Sequence, residues 1–123
     1  MMKVRGIRGA TTVNEDTPEE IFAATKELIE EIVRLNDIDV DDVASVLLTL
    51  TPDLSSAFPA KAVRSLPGWQ WVPLMCAREL DVPNSLPRSV RVLLHVNTEK
   101  AQSELVHAYL GEAVQLRPDL ARD

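Results

Sequence analysis

Apolar and polar positions alternate most regularly in "SVRVLLHVNT", residues 89–98. Val90, Val92, Leu94 and Val96 fall on one side of an extended chain, and Arg91, Leu93 and His95 on the other. A strand is predicted there, with an arginine at its middle. A long basic side chain in such a place either snorkels to an edge or meets an anion. A helical period runs through "DTPEEIFAATKELIEEIVRLND", where Ile21, Ala24, Leu28, Ile32 and Leu35 share one face. Thr17 suits the N-cap, Pro18 the first helical position, and Glu20 completes a T-x-x-E capping box. Its glutamates lie mostly elsewhere and read as a solvated face.

"ASVLLTLT" is a continuous β-rich run, predicted as a strand buried on both sides or nearly so. "KVRGIRGATTV", residues 3–13, reads as an initial strand whose Gly6 and Gly9 mark a bulge or a close backbone approach. "DIDVDDV" is a turn or short helical step. Pro59 opens a short helix through Arg64, with Lys61 and Arg64 on one side of it. "WQWVPLM" is predicted as a strand, "CARELD" as a short helix or turn, and "VPNSLPR" as a loop. "EKAQSELVHAYLG" is predicted as a second main helix, of about three turns, closed by Gly111. "EAVQLRPDL" is a last short strand. The order β-α-β-(short α)-β-β-α-β implies one α+β domain over residues 1–123, a mixed sheet with two main helices on one face. The other face, which would carry Arg91, is then free to pack against another subunit.

A length of 123 residues suits one domain, and a short chain often gains by burying a face against copies of itself. Aromatics are only 4%, so the core must be aliphatic. The net charge of −6, without any Lys/Arg run, argues against a non-specific nucleic-acid binder. The cations are nonetheless skewed, nine Arg against four Lys, towards the side chain that holds carboxylates and phosphates in a fixed fork. A single Cys excludes an internal disulfide and any multi-Cys metal site. The opening "MMKVRGIRGATTV" has no apolar signal-peptide core, and no run approaches the ~18 apolar residues of a membrane span. A soluble cytoplasmic protein is expected.

Neither a P-loop nor G-x-G-x-x-G is present. His95 and His107 are not at metal-ligand spacing and read as packing or surface residues. Cys76, three positions before Glu79 in "PLMCARELDV", is either a nucleophile awaiting a histidine or a small residue beside a binding carboxylate. What remains is Arg8, Arg64, Arg91 and Arg117 with Glu79, Tyr109 and Cys76. That set suits a reaction in which an anion is held in one shape and developing charge is stabilised. It suits proton transfer poorly.

These residues also carry a resemblance. "RGIRGATTV", "TPDLSSAFPAKAVR", "CARELDV", "VRV" around Arg91, "HAYL" and the closing "LRPDL" occur in one order between about residues 2 and 120. Together they resemble the AroH-class chorismate mutases. The resemblance implies a homotrimer forming a pseudo-α/β-barrel, with active sites in clefts between subunits. It implies an isomerase that converts chorismate to prephenate by a Claisen rearrangement, in the shikimate route to phenylalanine and tyrosine, without cofactor or metal. Arg91 would donate to the ether oxygen, Arg8 would grip a carboxylate, and Glu79 would accept from the substrate hydroxyl. Tyr109 would hydrogen-bond a carboxylate. Cys76 would be a neighbour of Glu79, with Leu74 and Met75 also at the substrate. Phe58, Ala60, Lys61 and Arg64 would line the other wall, and Leu116 and Arg117 would help close the mouth. Met75 is a departure, standing where the family often carries Thr. Two rivals remain: a module like the small trimeric imine deaminases, which also hold a carboxylate with an interface arginine, and a structural partner protein. Glu79 three after Cys76, with Arg8 in "RGIRGATT", favours the mutase.

Overall fold

β4 (Ser89–Thr98) lies at the centre of a five-stranded sheet, as its alternating pattern requires. Its neighbours, β1 (Lys3–Thr12) and β2 (Val43–Leu50), both run antiparallel to it. β3 (Leu74–Arg78) pairs parallel with β2 at one edge, and β5 (Ala108–Tyr109) parallel with β1 at the other. The sheet is therefore mixed, as expected. The computed structural model describes residues 1–116, and Arg117 lies outside the described residues.

Two helices cover one face. α1 (Pro18–Asn36) starts where the capping signals stand: the Thr17 hydroxyl accepts from the Glu20 N–H, with Pro18 at the start. The Glu20 carboxylate reaches past Thr17 to the N–H groups of Asn14 and Glu15. Ile21, Leu28, Ile29 and Ile32 are fully buried; each such side chain contributes about 1.5–3 kcal/mol relative to exposure. α1 lies so close to β1 that a Cβ on Gly9 would stand 2.8 Å from Ile32 Cδ1 and 3.0 Å from Leu28 Cδ1. Gly9 therefore marks a close approach and not a bulge. α2 (Ala60–Arg64) packs on the same side through Ala60, Ala62 and Val63. Among the described residues the opposite face is covered only at one end, where Leu86, Ala113 and Leu116 pack on Ala10 and Tyr109. Arg91, Leu93 and His95 of β4 are half-buried there, as are Leu47 and Thr49 of β2, so β2 is buried on one side only.

The second main helix does not form. Residues 99–111 hold one 3-10 turn, Gln102–Glu104, and then an extended segment ending in β5. The cause is tertiary. The Asn36 side chain grips Val106 twice, donating to its carbonyl and accepting from its N–H, each at 2.8 Å. The chain is pulled straight, and Ala108–Tyr109 pairs with Gly9–Ala10. Those contacts override a local helical preference. Two further expectations fail at β3. "WQWV" forms successive turns, with the Trp69 N–H bonded to the Leu66 carbonyl and the Val72 N–H to the Trp69 carbonyl. "CAR" belongs to the strand, because pairing with β2 seats Leu74 and Cys76 against the core. The expected last strand is a 3-10 helix, Gly111–Leu116, as far as it is described.

Candidate active site

Three adjacent strands bring the candidate chemistry together on the uncovered face. Arg91 on β4 stands opposite Thr49 on β2 and opposite Ala10 on β1. Arg8, two residues from Ala10, emerges on the same face opposite Leu93. Glu79 follows the end of β3 and keeps its alternation with Met75 and Ala77. Its N–H donates to the Leu50 carbonyl at 2.9 Å, which extends the β3 pairing by one residue. Arg8, Leu47, Thr49, Glu79, Arg91, Val92 and Leu93 line one cavity of about 270 Å³.

The Glu79 carboxylate is held at two points. Thr49 Oγ1 donates to Oε1 at 2.5 Å, and Arg91 Nη1 donates to Oε2 at 3.5 Å. The second contact is long for a charge-assisted bond, which ordinarily closes to ~2.7–2.9 Å. Arg91 keeps 40% of its side chain exposed, so its fork still faces the cavity. Arg8 forms no ion pair among the described residues. Its own N–H donates to His107 Nδ1 at 2.9 Å, which anchors the strand and leaves the guanidinium to the cavity. In a chain of net charge −6 the face thus concentrates two arginines beside one carboxylate.

A neighbouring cavity of about 210 Å³ joins Glu79 and Arg91 to Leu116, through Thr51, Ser89 and the loop from Leu80 to Leu86. Tyr109 is buried and packs with Ala10, Ala113, Leu86 and Leu116, two of which line this second cavity. Arg8, Glu79, Arg91, Tyr109 and Leu116 are therefore one constellation in one chain.

The other expected residues lie apart from it. Cys76 pairs in register with Leu48 and points to the helix-covered side, packed against the core. It lines a cavity of about 390 Å³ with Phe58, Pro59 and the serines of the 55–56 loop. Its side chain and that of Glu79 leave opposite faces of the strand. His95 bonds Ser45 on the uncovered face, so it too is across the sheet from the thiol. His95 is therefore no helper for Cys76, which favours the small-residue reading. Phe58 is 73% exposed, a large ring facing solvent. Lys61 and Arg64 are exposed on α2, Ala60 is buried at its start, Leu74 packs on the core, and Met75 is exposed on the uncovered face of β3.

Asp16 fixes the loop that leads to Phe58. Its carboxylate accepts the N–H groups of Ser55 and Ser56 and the Ser55 hydroxyl, at 3.1–3.3 Å. Hydrogen bonds from Ser56, then Ser55, hold its carboxyl below the usual aspartate value. Among the described residues no group of His, Cys, Asp and Glu is arranged to hold a metal ion, and no helix is long and apolar enough to cross a membrane. Thr49 is the site residue that sequence reasoning passed over. Its only signal was a hydroxyl interrupting the apolar run "VLLTL", at the same parity as Leu47.

Comparison with known proteins bears on this constellation. The family model for chorismate mutase type I matches residues 4–120. The chain is 51% identical over 120 residues to "Chorismate mutase AroH" of Bacillus subtilis (strain 168), covering 98% of this chain and 94% of that protein. It is 54% identical over 118 residues to the Thermus thermophilus protein of the same name, covering 95% and 96%. A solved chorismate mutase from Clostridium thermocellum superposes with a TM-score of 0.86 at 46% identity, over 89% of this chain and 96% of that one. The family match spans nearly the whole described fold, and the chain belongs to the type I chorismate mutase family.

Proposed function

We infer that this protein is a chorismate mutase, an isomerase that converts chorismate to prephenate in the biosynthesis of phenylalanine and tyrosine. One observation carries the reading: two arginines and a hydroxyl-anchored carboxylate converge on one cavity of the uncovered face, in a chain of this family. The substrate carries two carboxylates, a hydroxyl and an ether oxygen. In the rearrangement the ether C–O bond breaks as a new C–C bond forms, and the ether oxygen becomes the carbonyl of the pyruvyl side chain. Reactant and product are isomers, so no co-reactant enters and no proton is transferred.

The chemistry required is selection of a compact conformer and stabilisation of charge. Arg91 donates to the ether oxygen, where negative charge grows, and its second prong reaches a carboxylate. This is the role of an oxyanion-hole donor. Arg8 takes a carboxylate and Glu79 accepts from the hydroxyl, which fixes the ring. Tyr109 supports the carboxylate end, and Leu116 with Arg117 closes the mouth.

The protein works as a homotrimer whose clefts lie between subunits, closing a pseudo-α/β-barrel. Two features support that. The uncovered sheet face exposes Met75 and half-buries Leu47 and Leu93, which burial against another subunit would stabilise. Phe58, Lys61 and Arg64, the expected second wall, diverge from Arg91 within one chain and can face it from a neighbour. Ala60 anchors that wall through the core. Leu74, Met75 and Cys76 offer the free edge of β3, where the thiol is packing and not a nucleophile. The enzyme acts in the cytoplasm and requires no cofactor.

The test is loss of chorismate absorbance on adding purified protein, with prephenate identified as product and Arg91→Ala in parallel. Rapid conversion by the wild type and its loss in the variant are expected. No conversion at high protein concentration would sink the assignment.

A further inference from the structure

We propose that Thr49 is a positioning residue for the rearrangement, acting through Glu79 to hold the carboxylate away from Arg91. This rests on the reading of Glu79 and Arg91 given above. Glu79 sits just past the end of an edge strand, with its backbone tied by one N–H to Leu50. A glutamate side chain has several free rotors, and nothing in the local backbone selects one. The Thr49 hydroxyl does. It donates to Oε1 at 2.5 Å, and the direction is forced, because an ionised carboxylate can only accept. Thr49 is itself stiff, a β-branched residue inside β2 and opposite Arg91 in the ladder.

The 3.5 Å gap between Arg91 Nη1 and Glu79 Oε2 is the consequence that matters. With Oε1 retained by Thr49, the carboxylate stops short of a tight ion pair. Arg91 keeps a fork free for the ether oxygen, and Glu79 keeps lone pairs free for the hydroxyl. Without the Thr49 hydroxyl, Arg91 is the remaining side-chain partner of the carboxylate among the described residues. The two then close on each other, and both are withdrawn from substrate. Thr49 acts through Glu79: it sets the spacing of the carboxylate and the guanidinium that meet the substrate.

The experiment uses the full chain and compares kcat and KM for chorismate in Thr49→Val, Thr49→Ser, Glu79→Ala and the Thr49→Val/Glu79→Ala double variant, with Tm for each. Val keeps the shape and strand preference of Thr and removes only the hydroxyl. Thr49→Val is expected to lower kcat/KM by about 10- to 100-fold, the range for losing a hydrogen bond to a charged group. Thr49→Ser is expected to recover most of that loss. In the Glu79→Ala background Thr49→Val is expected to cost less than about twofold more, because there is no carboxylate left to position. Equal losses in both backgrounds would mean a merely structural role and overturn the proposal. So would a Thr49→Val enzyme with wild-type kinetics beside an impaired Glu79→Ala. Wild-type turnover in Glu79→Ala would instead overturn the reading of Glu79 itself, and the proposal with it.

Discussion

Replacing Arg91 by Lys separates charge from geometry at the centre of the site. Both side chains are cationic, but only Arg presents a planar fork that can serve an ether oxygen and a carboxylate together. The stability cost follows from the contact with Glu79. At 3.5 Å, with side-chain exposures of 40% and 20%, it is a partly solvated pair, worth about 0–1 kcal/mol. The variant should therefore melt within about 4 °C of the wild type. The catalytic cost is of another size. Losing one donor aimed at developing oxyanion charge costs about 3–4 kcal/mol, or roughly 150- to 900-fold in kcat. A lysine ammonium recovers part of the electrostatic attraction for the dianion, so KM should rise far less than kcat falls. Continuous loss of chorismate absorbance gives both constants, and thermal unfolding by circular dichroism gives the stability. A kcat within tenfold of the wild type would refute the role assigned to the fork. A collapse of Tm together with kcat would show that Arg91 is chiefly structural.

Four further outcomes are expected. Gly9→Ala drives a methyl to within 2.8 Å of Ile32 Cδ1 and 3.3 Å of the Ala108 carbonyl oxygen, so it should destabilise by about 1–3 kcal/mol in urea unfolding. Asn36→Ala strips Val106 of both hydrogen bonds to that side chain and should cost about 2–3 kcal/mol, with faster hydrogen exchange along residues 105–110. Cys76→Ala should keep kcat within a few-fold while KM rises modestly; abolished turnover would revive the nucleophile. Asp16 has a folded value below its unfolded one, so its contribution to stability is present above the unfolded value and is lost as pH falls through the folded one. Wild type should therefore exceed Asp16→Asn in Tm near neutrality, and that gap should close as pH falls below the unfolded value of 3.8; a gap independent of pH would contradict this.

Some elements needed nothing beyond the chain's own order of residues. α1 could be read from end to end, because Thr17, Pro18 and Glu20 specify its start and its apolar stripe has a helical period. β4 was equally plain, including the placement of Arg91 on the uncovered face, because strand parity is a local property. Motif order along the chain carried the family resemblance and, with it, the choice of Arg8, Glu79 and Arg91. Residues 99–111 were misread because the deciding forces come from far away: Asn36, 70 positions earlier, holds Val106, and β1 takes Ala108–Tyr109 into the sheet. β3 was misread for the same reason, since a short edge strand exists only through its neighbour. That pairing also separates Cys76 from Glu79. Three residues apart in sequence, they leave a strand on opposite faces, whereas on a helix they would have shared one. The bond from Thr49 to Glu79 joins β2 to the residue just past β3 across 30 positions, and only the fold could bring that hydroxyl to that carboxylate.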